Sequence, residues 1–233
     1  MRIFSYILIL CLIPLINLGQ PEKKIAPKRT DNFVRMKGLR VGMDMTRPFQ
    51  RFWNKGNRYG TELSFDIELK PNLFPVFETG WEALKINSDY VDYRGSGNYS
   101  RLGFDYNFLV AQSKEDKNML FIGLRYGFAL AKQDVERFLI NSYWGDYSSN
   151  FQTQKFYGHW GEFLLGLKGE VLKNIYLGWT VRGKVKFNTK AYTLPPIYFM
   201  PGYGKAEKGF NLDFTYSVFY NLPLDFRKSK HKK

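Results

Sequence analysis

From Ile175 to Asn188 the chain alternates with a period of two. Ile175, Leu177, Trp179, Val181, Val185 and Phe187 fall on one face, and Tyr176, Thr180, Arg182, Lys184, Lys186 and Asn188 on the other. A helix advances about 100° per residue and would mix these sets, whereas a strand sends successive side chains to opposite faces. The same sorting returns at Phe210, Leu212, Phe214, Tyr216, Val218 and Tyr220 against Asn211, Asp213, Thr215 and Ser217. It returns again at Leu63, Phe65, Ile67 and Leu69 against Glu62, Ser64, Asp66 and Glu68. Followed along the chain, it predicts strands over Leu39–Thr46, Gly60–Leu69, Phe74–Leu84, Ser100–Phe108, Met119–Ala131, Trp160–Leu172, Ile175–Asn188 and Phe210–Leu222. Most have about 9–13 residues, and a tilted strand needs about 9–11 to cross a bilayer.

Alternation alone does not say which face points inward. A soluble barrel hides its apolar set and a membrane barrel exposes it. Gly42, Gly80, Gly103, Gly123, Gly127, Gly166 and Gly178 all share the polar face. A water-exposed surface has no need of glycine there, but a narrow interior uses it to make room for Arg and Glu side chains from neighbouring strands. Gly161, Gly169 and Gly183 lie on the apolar face, so this argument is statistical. The links add a second one. Those around Pro71 and Asn72, from Ala111 to Asn118, and at Lys173 and Asn174 are short. They alternate with long ones over Arg47–Tyr59, Lys85–Tyr99, Lys132–His159 and Thr189–Gly209. Periplasmic turns alternate with extracellular loops in this way in outer-membrane barrels. The expectation is an all-β, eight-stranded antiparallel transmembrane β-barrel of up-and-down topology, integral to the outer membrane, with both termini periplasmic.

Met1 and Arg2 followed by the apolar run Ile3–Leu18 read as a secretory signal peptide, cleaved after Gly19. Cys11 lies mid-run behind Leu10, where a lipoprotein signal needs a small residue. Cleavage removes this only cysteine, and with it disulfides, zinc–thiolate sites and thiol nucleophiles. The predicted organisation is a signal peptide over 1–19, a basic periplasmic segment over 20–37, the barrel over 38–226 and a basic tail over 227–233. Net charge is +14, much of it at Lys23, Lys24, Lys28, Arg29, Arg35 and Lys37 and at Arg227, Lys228, Lys230, Lys232 and Lys233. A secreted chain does not meet a genome, so nucleic acid is not the expected partner. The tails are solvated or reach a periplasmic partner.

Three stretches carry a resemblance: Phe121–Phe128 (FIGLRYGF), Asn141–Tyr147 (NSYWGDY) and Val171–Trp179 (VLKNIYLGW), joined by Met200–Lys205 (MPGYGK). In these the chain resembles an uncharacterised outer-membrane β-barrel family of the Bacteroidota, over about Gly38 to Leu224. The resemblance implies the fold and the compartment and transfers no catalytic residue. The basic tail after Phe226 departs from barrels that stop at their last strand, which places any insertion signal near Tyr220–Phe226.

The inferred lumen holds a charge network of Glu78, Glu82, Asp105, Arg125, Glu162, Arg182 and Lys184. Asp44, Glu62, Asp66, Glu68, Glu170, Asp213, Arg40, Arg101, Lys168 and Lys186 join them. Confined charges must pair or stay hydrated, so these either fill the barrel with salt bridges or line a narrow polar path. His159 stands beneath a loop with Ser142, Ser148, Ser149 and Asp146. It reads as an interfacial residue beside Trp160 or as half of a Ser–His pair hydrolysing a lipid ester. Asp134, Glu136 and Asp146 lack a regular calcium-ligand spacing. The long loops are unusually aromatic, and Tyr143, Trp144, Tyr147, Phe151, Tyr198, Phe199 and Tyr203 are the candidate partner-binding residues. The alternative is that they pack on one another or in the interfacial girdle. No cofactor, metal or catalytic residue is expected. The expected function is a non-enzymatic scaffold or accessory subunit of an outer-membrane protein complex, surrounded by outer-membrane lipid and lipopolysaccharide. The alternatives are a surface ligand-binding protein or adhesin, a lipid-modifying enzyme, and a narrow pore.

Overall fold

The computed structural model describes residues 38–53, 57–88, 91–109, 117–140, 147–190 and 196–223, with the backbone alone at 50–53, 137–140, 147–152 and 188–190. The expected signal peptide, N-terminal segment and C-terminal tail lie outside them.

The alternating segments form strands β1 (Leu39–Asp44), β2 (Arg58–Ile67), β3 (Leu73–Asn87), β4 (Val91–Asn107), β5 (Met119–Ile140), β6 (Tyr147–Leu172) and β7 (Ile175–Lys190). A small hairpin of β8 (Phe199–Met200) and β9 (Gly204–Lys205) follows, and then β10 (Phe210–Leu222). Eight of them close an antiparallel barrel in the order β1-β10-β7-β6-β5-β4-β3-β2, as expected. Closure is made by β1 and β10, from Leu39 opposite Leu222 to Asp44 opposite Ser217, so both barrel ends of the chain lie at the end of the short turns.

The turns repeat one device. Leu73 donates its N–H to the Lys70 carbonyl at 3.0 Å around Pro71 and Asn72. Asn72 takes φ 66° and Asn174 takes φ 68°, a left-handed backbone that Asn tolerates better than most residues. Each Asn donates its N–H to the glutamate four residues before it: Asn72 to Glu68 at 3.1 Å and Asn174 to Glu170 at 2.9 Å.

Two of the expected long loops are strand instead. β3 and β4 continue to Asn87 and from Val91 through the span expected as the loop Lys85–Tyr99. β5 and β6 continue to Ile140 and from Tyr147 through most of Lys132–His159. The alternation persists there with its sense reversed. Tyr93, Ala131, Val135 and Phe156 point inward and are buried, while Arg94, Lys132, Glu136 and Lys155 point outward and are exposed. A search for strands with an apolar outer face stops where that face turns polar. The expected loop Arg47–Tyr59 carries a helix, α1 (Thr46–Trp53). Its start is held by Asp44, whose Oδ1 accepts the Thr46 N–H at 2.8 Å, and Pro48 occupies its first turn, where proline is tolerated.

Sidedness is the inverse of a water-soluble protein. Arg40, Arg101, Asp105, Glu82 and Lys184 are buried inside, while Leu102, Leu124, Phe163 and Leu212 are exposed outside, Leu212 at 72%. The outward face of β5 is apolar at Leu120, Ile122, Leu124, Tyr126, Phe128 and Leu130 and then charged from Lys132. This is one membrane-crossing length, with the remainder of the strand beyond it. Exposed apolar surface on this scale has no place in water.

The luminal glycines do face inward, but mostly to admit rings rather than the expected Arg and Glu. A Cβ on Gly127 would run into Trp160, on Gly166 into Phe121, and on Gly42 or Gly178 into Phe219. Only Gly103 and Gly123 make room for Arg125 and Asp105.

Candidate functional site: a closed, ion-paired lumen

Three layers fill the lumen from the turn end upward. In the lowest, Arg40 on β1 binds Asp66 on β2 at 2.8 Å, and its guanidinium lies 5.5 Å from the Phe74 and Tyr176 ring centres. Lys168 joins Asp66 at 3.0 Å and Asp105 at 3.5 Å and stands over the Phe121 and Phe219 rings. The aromatics take over from water the role of facing the cations.

The middle layer sets Glu62, Glu78 and Glu162 against Arg101, Arg125 and Arg182. Arg182 reaches Glu78 at 2.7 Å, Glu162 at 3.2 Å and Glu62 at 3.7 Å. Arg101 reaches Glu78 at 3.1 Å, Glu162 at 3.3 Å and, in the tightest contact, Glu62. Arg125 ties this layer to the one below through Asp105 at 2.7 Å. Tyr99 donates to Glu62 at 2.5 Å and Trp160 to Glu162 at 2.7 Å. Buried charges are tolerated when paired and hydrogen-bonded in this way. The space left between the two layers is a cavity of about 20 Å³, room for about one water.

The upper layer is closed from above by two loops. Arg47 on α1 reaches down to Glu62 and Glu82, each at 3.0 Å. Burial works against its charge, but Tyr99, Glu82, Glu62 and Asp213 hold its pKa well above the ordinary guanidinium value. The second loop inserts its tip: the Gly202 N–H donates to Glu82 at 2.9 Å, and the Gly202 carbonyl accepts from Lys184 Nζ at 2.7 Å. Gly202 has φ 77°, and a Cβ there would meet the Tyr99 ring at 2.6 Å. Above this tip an apolar layer of Met200, Tyr203 and Ala206 packs on Tyr99, Ala129, Ala131, Phe156 and Trp160.

A family model described as a domain of unknown function (DUF6048) matches residues 1–228. The chain belongs to the DUF6048 family. No curated protein matches it in sequence. In structure the DUF6048 chain is similar to the N-terminal β-barrel domain of Pseudomonas aeruginosa OprF (12% identity, 80% of this chain and 98% of that one, TM-score 0.38). It is similar also to Ail, the attachment invasion locus protein of Yersinia pestis (9%, 80% and 100%, 0.42), and to Neisserial surface protein A (13%, 80% and 98%, 0.40).

All seven residues of the expected charge network line this DUF6048 lumen. Glu78, Arg125, Glu162 and Arg182 meet in the middle layer, Asp105 lies below them, and Glu82 and Lys184 lie above, joined through Gly202. The loop aromatics divide. Tyr143 and Trp144 lie outside the described residues, and Tyr147 and Phe151 belong to the backbone of β6. Tyr198 packs edge-on against Tyr93 with ring centres 5.5 Å apart. Phe199 and Tyr203, expected to face a partner, are buried against the chain's own barrel at 3% and 1% exposure. Their neighbour Gly202 lets the loop dive inward, which turns the rings with it.

Arg47, Tyr99 and Trp160 were missed as luminal residues. Trp160 shares its parity with Glu162 and Lys168, the signal that could have placed it inside; Arg47 sits on a helix, where strand parity says nothing. His159 points outward between Tyr126 and Phe187, with ring centres 5.9 Å from each. Ser142 and Asp146 lie outside the described residues, and the backbone position of Ser149 is ten residues up β6 from His159, about 33 Å along the strand. Glu136 is taken by Arg94 at 3.0 Å, and among the described residues no three His, Cys, Asp or Glu converge as a metal site.

Proposed function

We propose that this DUF6048 barrel spans the outer membrane of a Gram-negative bacterium, of the Bacteroidota by the resemblance described above. There it serves as a non-enzymatic scaffold or accessory subunit for another outer-membrane or surface protein. The apolar outer belt supports the membrane location, since a chain with these exposed side chains needs lipid around it. Its turn end faces the periplasm, with both termini and their basic tails, and its loop end faces outward.

One observation carries the choice of role. The described lumen is closely filled, while β5 and β6 run well past the belt. Tyr157 pairs with both Leu130 and Lys190, but from Tyr147 to Phe156 β6 pairs only with β5 among the described residues. A strand with one ladder partner is a surface to which a further strand can add. A closed interior favours a role carried by the projecting surface over one of transport.

The test is purification of the tagged protein from native outer membrane in mild detergent, followed by mass spectrometry. A stoichiometric outer-membrane partner is expected. A clean monomer, repeated across detergents, overturns the subunit reading.

A further inference from the structure

We propose that Lys132 and Lys155 form a site for the phosphate of an anionic membrane lipid, with its acyl chains lying on the apolar belt directly below. The two lysines are partners in the β5–β6 ladder, both outward and both exposed. Directly opposed side chains in an antiparallel pair stand about 5 Å apart at Cβ, so like charges there repel, and one phosphate between them reverses the sign of the interaction.

The acids nearby do not serve that purpose. Asp134 stands opposite Arg94 in the ladder, and Glu136 binds Arg94 at 3.0 Å. No described carboxylate forms an ion pair with Lys132 or Lys155, and the position beside Lys132 on β4 is Ser96, a neutral hydrogen-bonding neighbour.

Height supplies the second argument. In the β5–β6 ladder Lys132 and Lys155 stand one outward pair beyond the apolar pair Leu130 and Tyr157. Two residues are about 7 Å along the strand and, at the roughly 45° tilt of a membrane-crossing strand, about 5 Å along the bilayer normal, which carries the pair from the hydrocarbon into the headgroup region. Below the pair, Leu130, Leu124 and Phe163 are more than half exposed and offer a wall for acyl chains. Lysines at this level keep their stems on apolar surface and their ammonium groups in the headgroups.

This inference rests on the membrane reading above, and the test separates the two. The full-length protein is refolded in maltoside detergent, which carries no phosphate, and titrated in native mass spectrometry with phosphatidylglycerol, phosphatidylcholine of the same acyl chains, and inorganic phosphate. The wild type is expected to prefer phosphatidylglycerol by about tenfold, and the double variant K132Q/K155Q to bring the ratio near one. The control T153Q, also outward on β6 and above the belt, should keep it. A wild type without preference, or a double variant that retains it, overturns the site. Equal retention of inorganic phosphate alone overturns the lipid as its ligand. Failure of the barrel to insert into phosphatidylcholine vesicles refutes the membrane reading; insertion without headgroup preference refutes only this site.

Discussion

Replacing Arg182 by Met removes one guanidinium from the centre of the lumen and leaves its volume nearly filled. Arg182 is the direct partner of Glu78 at 2.7 Å and Glu162 at 3.2 Å and lies 3.7 Å from Glu62. In its absence three buried carboxylates face Arg101 and Arg125, and Arg125 is already held by Asp105 at 2.7 Å. One buried charge is left without compensation, which costs about 3–5 kcal/mol. Removing a carboxylate as well, in E78Q/R182M, restores the balance and should bring the barrel back to within about 2 kcal/mol of wild type. Urea titrations in lipid vesicles, read by the heat-dependent shift of folded barrel on gels, measure both. A loss below about 1 kcal/mol for R182M, with no recovery in the double variant, would mean that the charges are hydrated and screened, and the closed-lumen argument would fail.

Gly202→Leu places a side chain against Tyr99 on a backbone at φ 77°; the barrel should fold with the loop tip displaced, at a cost of about 1–3 kcal/mol, and proteolysis at Lys205 and Lys208 should become faster than in wild type. Asn174→Val should lower stability by about 1–2 kcal/mol because of φ 68°, whereas Asn174→Gly should be close to neutral in the same urea titration. Leu165→Arg, in mid-belt, should cost about 2–4 kcal/mol in vesicles, and Thr153→Arg, above the belt, should stay within about 0.5 kcal/mol. Equal effects at the two positions would place the outer face in water. His159→Ala should leave the lipid composition of the outer membrane unchanged in a lipid extract, since that ring packs outward between Tyr126 and Phe187.

The strands within the belt were legible because an apolar outer face and a charged inner one impose opposite chemistry on alternate residues, as in β7, whose predicted span Ile175–Asn188 differs from the observed Ile175–Lys190 only at its end. Above the belt that rule lapses. The outer face turns polar and the inserted loop replaces charge inside, so Tyr93 and Val135 point inward with Phe199 while Arg94 and Glu136 point out. The extended parts of β4, β5 and β6 then read as loop. Within the lumen, parity identified the charged residues but not their grouping, because the contacts of Arg182 with Glu78 join strands 104 residues apart. Parity also said nothing about Arg47, whose helix sits outside the strand pattern, or about the Met200–Tyr203 stretch, which reads as exposed aromatic loop until Gly202 is seen threaded between Glu82 and Lys184.

The closed lumen is tested most directly by single-channel recording of the wild-type protein in planar bilayers, with the heat-dependent gel shift confirming folded, inserted barrel in the same preparation. The layers from Arg40 to Met200 predict a silent membrane at any moderate voltage. Discrete, reproducible conductance steps from the wild type would contradict them.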